Sequence, residues 1–154
     1  MKLLIQRVSE AAVWIDDAVY SRIDRGILAL VGVRDSDREE DALYLTDKLI
    51  HLRIFPDTQG KMNCSLIDIH GDLLIVSQFT LYGDCRRGRR PSFTDSAAPE
   101  PAKALIDFFI DQCRAASSGK VETGIFAADM KVQLVNEGPV TFCLESERRK
   151  GLNQ

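Results

Sequence analysis

At 154 residues, 45% of them hydrophobic and 28% charged, the chain has the size of one ordinary domain and can bury a core without metal or disulfide staples. A formal net charge of −3 excludes the global basic field that collects nucleic acid non-specifically. No linker-like stretch, internal repeat or membrane-length apolar run is present, which argues against long disordered arms and bilayer spans.

The opening MKLLIQRVSEAAVWIDD has the charged start of a signal peptide, but Gln6, Arg7, Ser9 and Glu10 interrupt its apolar run, so a cytosolic location is expected. Residues 2–8 and 11–15 read as strands, and Asp16-Asp17 as a tight turn into a further strand, AVYSRI. GILALVGV, from Gly26, is an almost unbroken apolar run, which suits a strand covered on both faces. Ser36 and Glu39 have capping-box spacing, and Ala42, Leu45, Leu49 and Leu52 recur at helical intervals, which predicts a helix over 37–51.

FPDTQGKMN reads as a loop, and LLIVSQFTL at 73–81 as a second long apolar strand running into Tyr82-Gly83 and an arginine-rich loop. Pro99 opens a second helix with Ala102, Leu105, Ile106, Phe109 and Cys113 on one face and Gly119 as its stop. Strands near 125–135 and 139–145 close the domain around a turn, NEGP. The pattern is that of a single α/β domain, β-sheet layers covered by two main helices. The tail ESERRKGLNQ holds too little apolar surface to dock, which predicts mobility.

Familiar catalytic sets are missing: there is no G-x-S-x-G elbow, H-E-x-x-H, Walker loop or G-x-G-x-x-G after a strand. His51 and His70 lie at a helix end and in a polar turn, which gives a histidine-based triad little support. Cys64, Cys85, Cys113 and Cys143 lack metal-ligand spacing and read as structural thiols; neither metal nor cofactor is expected. Three segments carry candidate chemistry. In Ser77-Gln78-Phe79-Thr80, two-residue spacing would put Gln78 and Thr80 on one face to address one ligand, although composition alone favours a strand merely leaving the core. Asn136-Glu137-Gly138-Pro139-Val140-Thr141 reads, unaided, as a turn. Arg86, Arg87, Arg89 and Arg90, followed by Phe93, form either a phosphate-binding arm with a stacking surface or a solvated loop.

LIQRV, GILALVGV, RIFPDTQGKMN, VSQFTL, RRPSF, FAADM at 126–130 and NEGPVTF, in this order and spacing, resemble the D-aminoacyl-tRNA deacylase family over nearly the whole chain. The resemblance sets the domain at 1–145 and leaves 146–154 as a mobile C-terminal tail. It implies a homodimer with active sites at the subunit interface and aminoacylated tRNA as partner. Ser77, Gln78, Phe79 and Thr80 would line the pocket for the charged 3′-terminal adenosine. Gly138-Pro139 would be held cis and reach into the partner's pocket, and Phe126 and Met130 would stand in its wall. An aminoacyl ester is already activated, so positioning, oxyanion donors and a water activated by the ribose 2′-hydroxyl would suffice. Backbone amides around Phe79 and the Thr80 hydroxyl are the donors on offer. Two other readings stay open: an RNA-binding module without chemistry, and a general small-ester hydrolase with Ser77 as nucleophile.

Overall fold

The first strand, β1 (Lys2–Ile15), is one continuous element of 14 residues rather than the two expected, and the fold is arranged around it. The computed structural model describes residues 1–146. The early half of β1 pairs antiparallel with β3 (Gly26–Gly32), from Lys2 opposite Gly32 to Val8 opposite Gly26. From Ala11 onward the same edge pairs with β2 (Ala18–Ile23), joined through Asp16 and Asp17 at φ 49° and 59°, the left-handed backbone of a tight two-residue hairpin. Leu3 and Ile5 face the main core, but Val8, Ala11 and Val13 face a second one. The inward face therefore changes parity near Ser9, where an unmatched residue bends the strand and lets one element serve two cores.

The sheet runs β2-β1-β3-β6-β7, with β6 (Asp72–Ser77) parallel to β3 and β7 (Val121–Thr123) parallel to β6. β8 (Lys131–Glu145) pairs with the free edge of β1. The Ser21 hydroxyl donates to the Thr123 carbonyl at 2.8 Å and Lys120 Nζ to the Arg22 carbonyl at 2.6 Å, so the two ends of the path meet and the mixed sheet is nearly closed. Both long apolar runs are explained by this geometry. Ile27, Ala29, Val31, Leu73 and Ile75 point to the helices, while Leu28, Leu74 and Val76 point into the curl.

Helix α1 (Glu39–His51) starts two residues later than expected. The Ser36/Glu39 box does not form; instead Asp41 accepts the Arg38 amide at 2.7 Å. Asp37 is taken elsewhere, buried between the Met1 ammonium at 2.5 Å and Arg34 at 3.2 Å. Helix α2 (Pro99–Ala116) buries the five residues its periodicity indicated. It ends at Ser117, whose amide reaches the Cys113 carbonyl. Gly119 is not its stop: a Cβ there would lie 2.1 Å from the Gly71 carbonyl oxygen, so it permits a close backbone approach. The supposed 55–63 loop is a small hairpin, β4 (Phe55–Pro56) with β5 (Met62–Cys64), its turn held by the Asp57 carboxylate. Ser146, first residue of the supposed tail, is buried and accepts a bond from the Met1 ammonium at 2.7 Å. The mobility expected of 147–154 lies outside the described residues. Among those described, no helix is long and apolar enough to cross a membrane.

Candidate active site

Strand β6 stops at Ser77, earlier than the sequence suggested, and the next residues turn into a 3-10 helix over Phe79–Tyr82. The strand faces expected for Gln78 and Thr80 therefore do not exist. The two side chains still meet, because a turn brings residues two apart together: Gln78 Nε2 donates to Thr80 Oγ1. Gln78 remains tied to the sheet through its amide, 2.7 Å from the Val31 carbonyl. The amides of Phe79 and Thr80 open this turn, where N–H groups have no intrahelical acceptor. Ser77 points the other way. It lines a cavity of about 370 Å³ under α2 with Ile106, Thr123, Gly124 and Phe126, while Asp107 and Asp111 stand at its rim. The carboxyl ends of parallel strands are where open α/β sheets place ligands.

The structure thus brings Phe126 to Ser77 but separates Met130, which packs toward the second core; its sulfur lies 2.6 Å from where a Gly124 Cβ would be. The two carboxylates at the rim are engaged, Asp107 with Lys103 at 2.6 Å and Asp111 with Arg114 at 3.5 Å. His51 is occupied by Asp47 and His70 by the Ser118 hydroxyl, both away from this site. Of the cysteines, Cys113 is buried and its thiol is pushed up to about 12 by burial, whereas Cys85 and Cys143 are exposed.

The arginine loop is built onto the same site. Asp84 and Ser92 exchange backbone bonds at 2.7 and 2.9 Å, closing the loop at its base. Phe93 then packs edge-on against Phe79 at 5.0 Å, and Ser96 Oγ donates to the Phe79 carbonyl at 3.1 Å. The four arginines are not equivalent. Arg86 folds back on Asp84 with two guanidinium bonds of 2.8 Å, which hold that carboxyl at about 2. Arg87, Arg89 and Arg90 are exposed and make no ion pair with the described residues.

NEGP is not a hairpin turn. Both flanking segments belong to β8 and pair with β1, Asn136 opposite Val8 and Thr141 opposite Gln6. The intervening residues loop outward as a bulge whose Gly138–Pro139 peptide is cis and exposed. Arg7, only 11% exposed at its side chain, pins this bulge. Its guanidinium donates to the Ile54 carbonyl at 2.6 Å and the Glu137 carbonyl at 3.0 Å. Gly138 has φ +126°, and a Cβ on it would meet Arg7 at 2.8 Å and Val140 at 2.9 Å, so only glycine fits. Sequence reasoning named Asn136 only within a supposed turn and gave Arg7 no role at the site; the available signal was an arginine inside an otherwise core-facing strand.

Among the described residues, no hydrogen bond or ring contact joins Gly138 or Pro139 to the Ser77–Thr80 segment. Val31 of β3 lies opposite Ser77 on one side, while Arg7 lies opposite Ile27, four residues away along the same strand. With β8 three strands from β6, the path along the sheet from one motif to the other is on the order of 20 Å.

Residues 4–145 match the family model described as D-Tyr-tRNA(Tyr) deacylase. The D-aminoacyl-tRNA deacylase of Thermosipho melanesiensis is 55% identical over 148 residues, covering 96% of this chain and 99% of that protein. That of Teredinibacter turnerae is 56% identical over 146 residues, 95% and 100% of the two chains. Among solved structures, a c-Myc DNA unwinding element binding protein superposes with a TM-score of 0.91 at 35% identity, covering 96% of this chain and all of that one. A probable eukaryotic D-amino acid tRNA deacylase superposes at 0.81 with 22% identity over 94% of this chain and 98% of that chain, which shows the shared fold.

Proposed function

The chain belongs to the D-Tyr-tRNA(Tyr) deacylase family, and from that membership and the site geometry we propose that it is a D-aminoacyl-tRNA deacylase, a cytoplasmic homodimer that removes D-amino acids and glycine from tRNA as a proofreading step in translation. The observation that carries this reading is that the family match spans every residue of the site, from Arg7 to Pro139. In it the 3′-terminal adenosine enters beside Ser77, Phe79 and Phe126. The ester carbonyl faces the Phe79 amide and the Gln78–Thr80 pair, which supply oxyanion donors. The chain offers no free histidine base there, so the ribose 2′-hydroxyl activates the attacking water.

The separation of Gly138–Pro139 from Ser77–Thr80 within one chain supports a dimer in which each bulge serves the other subunit's site. Among the described residues β8 pairs with β1 alone and so presents a long free edge, with Val135 and Phe142 exposed on either side of the bulge. Chirality follows from exclusion. The bulge carbonyls accept the substrate α-amino group, and the pinned backbone leaves no room for an L side chain. A preference of ~10⁴ corresponds to about 5.5 kcal/mol, more than one hydrogen bond of ~1 kcal/mol provides. Glycine, lacking a side chain, passes the filter.

The direct test is to incubate the protein with tRNA charged with D-tyrosine or L-tyrosine and follow amino-acid release. Cleavage of the D-ester alone is expected. If neither ester is cut, the RNA-binding module becomes the better reading; equal cleavage of both would favour a general esterase with Ser77 as nucleophile.

The arginine loop is the contact to tRNA phosphates, with its work divided by the geometry. Replacing Arg87, Arg89 and Arg90 together with alanine should flatten the log affinity versus log salt slope for tRNA by about 2 to 3, because each phosphate contact releases about 0.7–0.9 of a counterion. Arg86→Ala should change that slope by less than about 1, since its charge is already matched by Asp84. Equal slopes for wild type and the triple variant would make this a solvated loop.

A further inference from the structure

Between Val8 and Gln6 the first strand advances two residues, while β8 advances five, from Asn136 to Thr141, so three residues are extruded from the ladder. Such a large interruption on a sheet edge needs something at its neck to keep the two arms in register. Arg7 holds the outward side, at Glu137. The neck itself is closed by one carboxamide. Asn136 Oδ1 accepts the Val140 amide at 2.9 Å, and Asn136 Nδ2 donates to Thr141 Oγ1, also at 2.9 Å. The same hydroxyl oxygen accepts Gln6 Nε2 at 3.3 Å, which ties the clasp to β1. A carboxamide offers an acceptor and a donor on one planar group, and here both are used across the bulge.

We infer that Asn136 is a positioning residue for the deacylation reaction: with Thr141 and Gln6 it clasps the neck of the bulge and sets where Gly138 and Pro139 stand relative to the substrate. This rests on the reading that those two residues face the aminoacyl group bound by a partner subunit. It follows from the asymmetry of the restraints. The outer side of the bulge has Arg7, whose guanidinium also reaches the Ile54 carbonyl and so stays put. The return arm is anchored by the buried Val140 and by Thr141 in register with Gln6, but its link to the outgoing arm across the neck is the Asn136 side chain, and release of that clasp lets Gly138 and Pro139 shift between these anchors. Misplacement of a positioning group by about 1 Å can cost on the order of a hundredfold in rate. A stereochemical filter is more sensitive still, because loosening it admits the wrong isomer while slowing the right one.

The test compares Asn136→Ala, Asn136→Asp and Thr141→Val with Gly138→Ala as the control for the reading itself. For each, kcat and KM on D-tyrosyl-tRNA, cleavage of L-tyrosyl-tRNA, dimer mass and thermal midpoint are measured. Asn136→Ala should lower D-ester kcat by about tenfold to a hundredfold and narrow the D-over-L preference, with KM nearly unchanged and the dimer retained. Asn136→Asp keeps the bond from Val140 and lets the Thr141 hydroxyl turn to donate, so it should recover part of the preference. Thr141→Val should weaken it, and Thr141→Ser should restore it. Should Asn136→Ala fail to fold, the Thr141 pair carries the test, because that side chain is exposed and valine keeps its volume. If Gly138→Ala disturbs selectivity while Asn136→Ala and Thr141→Val do not, the clasp has no positioning role and the inference falls alone. If Gly138→Ala also leaves rate and selectivity untouched, the placement of the bulge in the partner's site falls with it.

Discussion

Replacing the 2′-hydroxyl of the terminal adenosine with hydrogen is expected to slow cleavage of D-tyrosyl-tRNA by about 10²-fold or more, the usual contribution of a positioned proton-transfer group. The reason lies in what surrounds Ser77–Thr80. Both histidines of the chain are engaged elsewhere, with Asp47 and Ser118. The carboxylates at the cavity rim are paired with Lys103 and Arg114. Thr80 is held by the Gln78 carboxamide, a group that donates a hydrogen bond but takes up no proton near neutrality. In the proposed mechanism the substrate's own hydroxyl, adjacent to the ester, takes the part of orienting and activating water. Thr80→Val, which removes the hydroxyl at constant shape, should by the same argument cost less than about tenfold, roughly one lost hydrogen bond. The two rates, measured in single turnover, decide the matter: an unaffected deoxy substrate together with a collapsed Thr80→Val enzyme would move the chemistry onto the protein hydroxyl.

Phe109→Ala should be among the most damaging core substitutions, lowering stability by about 3–5 kcal/mol. Phe109 is fully buried on the inner face of α2, in the main core with Leu45, Leu49, Ile75 and Ile106. Its removal takes a whole ring from a site lined by β-strand and helix backbones that cannot collapse to fill it, so the cavity penalty adds to the lost transfer energy. For a chain of this size about 1 kcal/mol corresponds to roughly 2–4 °C, and the thermal midpoint should fall by about 6 to 20 °C at fixed protein concentration. The cavity beside Ser77 is roofed by the same helix through Ile106, so activity at elevated temperature should fail before bulk unfolding. A loss of less than about 1 kcal/mol would mean that the helix settles onto the sheet and the core is more plastic than its packing indicates.

Much of the scaffold could be read from residue order because it depends on local period. The face Ala102, Leu105, Ile106, Phe109 and Cys113 is set by 3.6 residues per turn whatever lies opposite, and it is the face buried here. GILALVG and LLIV are apolar at every position because each strand carries cores on both sides, and an unbroken run states that directly. The Asp16-Asp17 hairpin was equally plain, since two short polar residues between strand-like segments tolerate left-handed backbone.

What only the tertiary structure decided is how distant segments complete one another. The N-E-G-P segment carries every local mark of a turn between two strands, yet both arms pair with β1, and no short-range signal distinguishes arms that pair with each other from arms that share a third strand. Ser77 and Gln78 separate for a similar reason: the chain leaves the sheet where β3 ends at Val31–Gly32, and that length is set by another part of the sequence. Arg7 against Glu137 and Ile54, Phe93 against Phe79, and Asp37 against the Met1 ammonium are likewise contacts between segments remote in the chain. Residue identity alone therefore determined the helices, the buried strands and the motifs that mark the family, because those are written in periodicity and composition. The shape of the bulge, the pairing of Arg86 with Asp84 beside three exposed arginines and the spacing of Gly138 from Ser77 along the sheet came from packing, where strand register and side-chain reach, rather than local propensity, decide the geometry.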